Sequence, residues 1–279
     1  MTRTLREVNA VVERLWPLSG ASDWDAPGLV VGDPDQPVAR VLLAVDAVGA
    51  TVDELLQEPG GLLLVHHPLL MRGVTTVAGD RYKGALIARL IRGDAALIAA
   101  HTNADVVVDG TSDVLARRLG LLDAVPIVPA SDGVTGLGRV GDLAEPTTLG
   151  RIARLLAEVL PATATGVRVA GDVDQPVRRI AVCGGAGDSL LSHDTVRGAD
   201  VYVTADLRHH PASEAREQAI LAGGPALIDV SHWASESLWL EVAAVALRRE
   251  LPELDIRVSG QRTDPWDFVV TQESTRPVG

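Results

Sequence analysis

Two histidines of this chain are each followed, four residues later, by an acid. His101 precedes Asp105, and His232 precedes Glu236. In a helical segment, residues four apart lie on one face, so each pair would present an imidazole beside a carboxylate. Both groups are common ligands of divalent metal ions. The spacing therefore makes all four residues candidate metal ligands.

Two further histidines, His66 and His67, are adjacent and follow the apolar run 62–65. Successive strand residues point to opposite faces, so both imidazoles can converge only where the strand ends, and Pro68 supplies that ending. A lone buried histidine is more often a hydrogen-bonded core residue than a ligand. An adjacent pair at a strand end, where α/β sheets place their ligand sites, favours a functional cluster instead.

The hydrophobic pattern predicts the elements that position these residues. Apolar residues at helical spacing predict helices over 5–15, 82–91 and 149–159. Short apolar runs predict strands over 38–45, 62–65 and 97–100. Strands that alternate with helices predict an α/β fold with a mainly parallel sheet.

Three short sequences recur in the same order in the second half of the chain. Residues 35–40 (DQPVAR) recur as 174–179 (DQPVRR), residues 66–68 (HHP) as 209–211, and the run 96–98 (ALI), which leads to His101, as 226–228, which leads to His232. Their common order predicts an internal duplication that produces two similar α/β lobes, with the metal site in the cleft between them.

The repeats also predict how the chain is divided. We expect a first α/β lobe over 1–122, a connecting segment with one helix over 123–173, and a second α/β lobe over 174–270. The second lobe contributes His232 and Glu236 to the shared site. The polar tail 271–279 is predicted to be flexible.

Composition excludes several classes of protein. The chain has 25 Lys and Arg against 37 Asp and Glu, a net charge of −12. This acidity argues against nucleic-acid binding, which needs clustered basic side chains. Cys183 is the only cysteine, which excludes an internal disulfide or a zinc–thiolate cage and predicts a cytoplasmic protein. Its apolar runs are far shorter than the ~20 residues of a membrane-spanning helix, so no membrane association is expected.

Two glycine-rich segments give weaker signals. The spacing of Gly136, Gly138 and Gly141 matches a dinucleotide-binding motif, but without a preceding strand and a following helix it indicates only a turn. Residues 183–189 (CGGAGDS) follow a predicted strand and precede a predicted helix, a geometry that suits a phosphate. Tight packing of the turn is the alternative. His209 and His210 either line the pocket or close a strand.

Three motifs, 62–68 (LLLVHHP), 100–105 (AHTNAD) and 232–236 (HWASE), resemble those of the GTP cyclohydrolase 1 type 2 homologue family. Its members are also described as dinuclear metal centre hexamer proteins. Weaker matches at 136–141 and 199–204 agree with the resemblance, which covers nearly the whole chain. The length resembles the short form of the family, without its inserted domain.

The resemblance implies a site for two divalent metal ions per chain, of Zn, Fe, Mn or Ni. The implied ligands are His66, His67, Asp105, His232 and Glu236, with Glu236 bridging both ions. His101 matches a position that lines the same pocket, which implies either an outer contact to the ligands or a catalytic role in proton transfer. Family members form toroidal assemblies, so a homo-hexamer is implied as well.

The named activity of the family implies a hydrolase in which a metal-activated water attacks a nucleotide-type substrate, for GTP at the purine C8. A metal-dependent phosphoesterase and a non-enzymatic, metal-binding hexameric scaffold are the alternatives. The chain departs from the family pattern where Ala26-Pro27 follows Trp24-Asp25, and where Ala205-Asp206 replaces Gly-Glu. The shorter acid Asp206 changes the reach of that carboxylate by one methylene.

Overall fold

The computed structural model describes residues 2–271, so residues 272–279 of the predicted tail lie outside the described residues. The helices in this range are α1 Leu5–Leu15, α2 Gly49–Leu55, α3 Tyr82–Arg92, α4 Thr102–Asp105, α5 Thr111–Arg118, α6 Leu149–Val159, α7 Asp194–Arg197, α8 His209–Ala222 and α9 His232–Glu250. The strands are β1 Arg3–Thr4, β2 Gly28–Val31, β3 Pro37–Val38, β4 Arg40–Ala44, β5 Gly61–Val65, β6 Ala96–Ala99, β7 Leu122–Val125, β8 Val128–Pro129, β9 Gly136–Leu137, β10 Arg139–Thr148, β11 Arg168–Ala170, β12 Pro176–Ala186, β13 Val201–Ala205, β14 Ala226–Val230 and β15 Asp255–Val258. Within residues 2–271, no helix is both long enough and apolar enough to cross a membrane.

The first sheet has five strands in the order β15, β4, β5, β6, β2. The first four are parallel, and β2 runs antiparallel beside β6. All residues of β4, β5 and β6 are buried, because α2 and α3 cover one face of the sheet and α1 and α9 cover the other. Continuous apolar runs are typical of such doubly covered parallel strands. The predicted α/β fold is confirmed.

The second sheet has six strands in the order β11, β14, β13, β12, β10, β7. The central strands β12, β13 and β14 are parallel, whereas β10 pairs antiparallel with β12, and β11 with β14. We expected residues 123–173 only to connect the lobes. They instead contribute β10 and β11 to this sheet. Only the first three residues of β10 are buried, and most of its other residues are polar. The strand therefore lacks the apolar run that would predict it from the sequence.

Helix α9 connects the two sheets. Residues 255–258, which were assigned to the second lobe, form β15 and pair with β4 of the first sheet. This crossing is possible because the 19 residues of α9 extend about 28 Å and pack against strands of both sheets. On the side of the first sheet, Trp239 meets Trp16 of the loop after α1 edge to face, with ring centroids 5.2 Å apart. The two halves thus share one helix.

The two halves also share local structure at the repeated sequences. The strand sets β4, β5, β6 and β12, β13, β14 are each parallel, and each has an antiparallel strand beyond its last member. The Leu5 amide donates to Gln36 O at 2.9 Å, and the Leu149 amide donates to Gln175 O at 2.9 Å. The two repeated sequences therefore make equivalent contacts, and the internal duplication itself stays a prediction.

Candidate metal centre

The first sheet supplies four of the six predicted site residues. His66 and His67 follow the carboxyl end of β5, and His101 follows β6 and precedes α4, which ends in Asp105. Carboxyl ends of adjacent parallel strands lie at one edge of a sheet, so these side chains meet there. The ring centroids of the three histidines are 5.1 to 5.5 Å apart. Asp105 Oδ1 lies 3.5 Å from His66 Nε2.

Helix α9 supplies the other two residues, His232 and Glu236, from its first two turns. The hydroxyl of Ser231 caps this helix by accepting a hydrogen bond from the Ala234 amide. Glu236 is buried at the centre of the cluster. Its Oε1 lies 3.0 Å from His232 Nε2, and its Oε2 lies 2.9 Å from His67 Nε2. The helix therefore completes the cluster that the first sheet begins.

Two overlapping groups within the cluster have the spacing of metal ligands. The ligand atoms of His66, His67 and His101 all lie within 4.8 Å of one another, and so do those of His67, His232 and Glu236. Asp105 extends the cluster on the far side of His66, where it also accepts a hydrogen bond from the Thr111 hydroxyl. The structure thus brings together every residue that the sequence nominated for the site.

Each histidine of the cluster donates its Nδ1 proton to an oxygen outside the cluster. The acceptors are Ala100 O for His66 (2.8 Å), Asp46 for His67 (2.7 Å), Asp25 for His101 (2.8 Å) and Asp206 for His232 (2.7 Å). Carbonyl and carboxylate oxygens can only accept, so these contacts place the proton on Nδ1. They leave Nε2 of each ring turned toward the centre, as the outer partners of metal-ligating histidines do.

Sequence reasoning missed the role of these outer carboxylates. Asp46 comes soon after β4, just as His66 follows β5, so its place at a strand end was the available signal. Asp206 follows β13 in the same way and has a positive φ of 56°. Its carboxylate accepts the Nδ1 proton of His232 and so orients that ring, although Asp206 is one methylene shorter than the Glu of the family pattern.

The electrostatics of the cluster reflect competition between burial and pairing. Burial lowers the pKa of His67, but Glu236 and Asp46 outweigh it and raise the pKa to about 10. His232 is likewise buried, and Glu236 and its other carboxylate partner raise its pKa to about 11. Burial alone would raise the pKa of Glu236, yet the surrounding imidazoles hold it well below its usual range. For Asp105, burial dominates and raises the pKa.

His101 has the opposite electrostatic character. Burial and the nearby charge of His66 lower its pKa, against the effect of Asp25. Asp25 is itself fixed by hydrogen bonds from the Thr102 amide at 3.0 Å and from the Ala26 amide at 2.7 Å. The His101 ring is therefore neutral near pH 7 and firmly oriented, with Nε2 available to accept a proton.

The glycine-rich segment 183–189 forms a wall of the cluster and differs from the predicted phosphate loop. Strand β12 continues through it to Ala186, and a single 3₁₀ turn, Asp188–Leu190, follows where a helix was expected. Gly185 has a φ of +67°, and a Cβ there would lie 2.3 Å from Glu236 Oε1. Its amide donates to Ser235 Oγ at 2.9 Å. Close packing against the cluster accounts for this glycine.

The remaining sequence signals lie away from the cluster. His209 and His210 are exposed in the first turn of α8 and contact each other, with ring centroids 5.2 Å apart. Gly136 belongs to β9, and Gly141 to β10. The dinucleotide-like spacing therefore lies on strands with no strand–turn–helix unit around it, as expected from its sequence context.

A cavity of about 350 Å³ opens beside His67 and His232. The aromatic rings of Trp233 and Trp266 line it, and Arg168 also lies in its wall. The Arg168 guanidinium is paired with the carboxylate of Asp229. The cavity provides space for a small molecule next to the cluster.

Known proteins resemble this chain in sequence and in fold. The family model described as Duf34/NIF3 (NGG1p interacting factor 3) matches residues 3–265. A Streptomyces coelicolor protein named GTP cyclohydrolase 1 type 2 homolog is 48% identical over 278 residues, covering 97% of this chain and 96% of the relative. A Mycobacterium tuberculosis protein of the same name is 38% identical and covers 96% of this chain and 98% of the relative.

The second alignment spans 378 positions, more than the 279 residues of this chain, so the mycobacterial relative contains residues that this shorter chain lacks. The fold also matches a solved structure. A Bacillus cereus protein related to NIF3 superposes with a TM-score of 0.87 at 24% identity, covering 96% of this chain and 99% of that chain. The family match, the relatives and the shared fold agree, and the chain therefore belongs to the Duf34/NIF3 family.

Proposed function

We propose that the cluster is a dinuclear metal centre and that the chain is a metal-dependent hydrolase acting on a nucleotide-type substrate. One observation carries the proposal. Among the described residues, His66 Nε2 is one of few buried side-chain polar atoms without a hydrogen-bond partner. It faces Asp105 Oδ1 at 3.5 Å and Glu236 Oε1 at 3.6 Å.

A buried histidine of the ordinary core would use both ring nitrogens in hydrogen bonds. Separations near 3.5 Å are too long for that, but they fit ligands of a common ion. Two ligand atoms that each lie 2.0–2.2 Å from a tetrahedral ion are about 3.4 Å apart. The unpartnered nitrogen and its two carboxylate neighbours therefore fit a cation between them.

The distances group the donors into two sets. His66 and Asp105, 3.5 Å apart, would hold one ion, and His67 and His232, with Nε2 atoms 3.2 Å apart, would hold the other. Glu236 lies between the two sets, with Oε1 near His66 and His232 and Oε2 near His67, and would serve both. Imidazole and carboxylate ligands suit Zn, Fe, Mn or Ni. When bound, such a pair of ions activates water and stabilises charge on the group under attack.

His101 is the residue that we assign to proton transfer. Asp25 holds its Nδ1 proton, so Nε2 is the atom that accepts and returns a proton. Its lowered pKa keeps that atom unprotonated near neutral pH. The cavity beside His67 would hold the substrate. The name shared by the Streptomyces and Mycobacterium relatives makes GTP the first substrate to test.

The test is metal content per chain, compared between the wild type and Glu236→Gln. Glu241→Gln is the matched control, because Glu241 lies exposed on the same helix. We expect about two divalent ions in the wild type and the control, as a two-metal site requires, and loss of metal in Glu236→Gln. A wild type that takes up no Zn, Mn or Fe would overturn the proposal.

Turnover then separates the possible functions. Hydrolytic opening of the purine ring of GTP at C8 that disappears on chelation supports the cyclohydrolase-type reaction, whereas cleavage of the phosphates of GTP or of phosphoesters alone indicates a phosphoesterase. Two tightly bound ions without turnover of either class indicate a metal-binding scaffold.

We also propose a homo-hexamer, as the family resemblance implies, and the exposed apolar side chains of Trp266, Phe268 and Val270 favour self-association. Light scattering should then give six times the chain mass of 29.3 kDa. A monomer would contradict this part of the proposal.

A further inference from the structure

The segment after β15 passes over the cluster. Its first residue, Ser259, donates its amide proton to Leu43 O at 2.8 Å and so extends the pairing of β15 with β4. The segment then reaches the beginning of α9, and its residues 263–266 line the cavity beside His67 and His232. We call residues 259–266 the strap. It contacts Asp46, which is hydrogen-bonded to His67, and Ser231, which precedes His232.

The first contact is at Asp46. The Thr263 hydroxyl donates to Asp46 Oδ2, while Asp46 Oδ1 accepts the Nδ1 proton of His67 at 2.7 Å. Each oxygen of the carboxylate is therefore held by a different partner. With both held, the carboxylate cannot rotate, and it fixes the plane of the His67 ring and the direction of Nε2.

The second contact is at the N-terminus of α9. Asp264 is buried, and its Oδ2 accepts a hydrogen bond from the hydroxyl of Ser231. Its Oδ1 accepts from the Trp266 amide at 3.0 Å. Ser231 caps α9 and directly precedes His232. The strap therefore fixes the start of the helix that carries His232 and Glu236.

From these contacts we infer that the strap is a positioning element of the metal centre. Thr263 positions His67 through Asp46, and Asp264 positions His232 through Ser231. Neither residue contacts the proposed ions. The inference rests on the proposed metal centre and assigns it two residues outside the ligand set. Loss of such an outer partner typically weakens metal binding by 10- to 100-fold.

The test substitutes Thr263. Thr263→Val keeps the shape of the side chain and removes the hydroxyl, Thr263→Ser restores it, and Thr75→Val is a control at an exposed threonine. Each protein is titrated with Mn²⁺ by calorimetry, and the absorption spectrum is recorded after loading with Co²⁺. Thermal unfolding of the metal-free proteins shows whether the substitution acts on the fold.

We expect Thr263→Val to bind one of its two ions about 10- to 100-fold more weakly and to change part of the Co²⁺ spectrum. Thr263→Ser should restore both properties, and the metal-free melting temperatures should agree. If Thr263→Val binds both ions like the wild type, the inference is wrong and the metal centre stands. The inference also fails if Thr263→Val weakens both ions equally and lowers the metal-free melting temperature. A wild type that binds no metal overturns the proposed function itself.

Discussion

The Nε2 atoms of His67 and His232 lie 3.2 Å apart, and both face the carboxylate of Glu236. One imidazole follows a strand of the first sheet, and the other begins the helix that follows the second sheet, so their proximity joins the two halves of the chain. Burial opposes charge on both rings, but Glu236 raises their pKa values to about 10 and 11. At neutral pH, with no metal bound, the pair therefore carries at least one proton on Nε2 in addition to the two Nδ1 protons.

This proton predicts how metal affinity depends on pH. A metal ion needs neutral Nε2 atoms, so it must displace the proton that the raised pKa values of His67 and His232 retain. Affinity should therefore rise with pH between about 6 and 9. Calorimetry at pH 7 in two buffers of different ionisation enthalpy should show release of about one proton or more per chain. An affinity that stays constant over this range would contradict the assignment.

Gly185→Ala should damage the site and the fold together. A side chain at its φ of +67° costs about 1–2 kcal/mol, and the added Cβ would displace the Glu236 carboxylate, which lies 2.3 Å from its position. We expect a lower melting temperature and metal affinity reduced about tenfold or more. Gly73→Ala is the control, because nothing lies within 4 Å of the added Cβ. Unchanged metal affinity in Gly185→Ala would contradict the close packing of residues 183–189 against the cluster.

Asp206→Asn tests the orientation of His232. Asparagine tolerates the positive φ of Asp206, so the substitution mainly removes the charge that accepts the Nδ1 proton. We expect metal affinity to fall about 10- to 100-fold with little change in metal-free stability. Asp94 has a similar φ of 50° and lies outside the cluster. Asp94→Asn should therefore bind metal like the wild type, and equal affinities in both variants would argue against a role for Asp206.

His101→Gln separates proton transfer from metal binding. Loss of a general acid–base group typically slows turnover about 10²- to 10⁴-fold, and the metal content should stay near that of the wild type because His101 is outside the proposed ligand set. The measurements are turnover of the substrate identified in the screen and metal content by elemental analysis. Loss of metal in this variant would instead make His101 a ligand, which its ring spacing to His66 and His67 permits.

Strand ends were predictable from the sequence, and with them the clustering of the candidate ligands. His66 and His67 end an uninterrupted apolar run, and such a run has few alternatives to a buried parallel strand. His232 and Glu236 are four residues apart, so any helix brings their side chains onto one face, and α9 is that helix. Local patterns suffice where neighbouring residues in the sequence determine the geometry.

Other features depend on partners that are distant in the sequence. Asp46 is an isolated acid until the fold places its carboxylate against His67, and Thr263 meets Asp46 across 217 positions. The polar strand β10 becomes recognisable only through its pairing with β12. Helix α9 buries residues around much of its circumference, including Ala234, Trp239 and Ala244, so its sequence does not reveal that it packs against two sheets.

The sharing of α9 limits how the chain can change by insertion or deletion. A helix turns about 100° with each residue. One residue inserted between Glu236 and Trp239 would leave both sheets intact, yet it would rotate the carboxylate away from the packed face that Trp239 shares with Trp16. The number of residues between Glu236 and Trp239 therefore fixes the direction of the carboxylate relative to the packing of α9 on the first sheet.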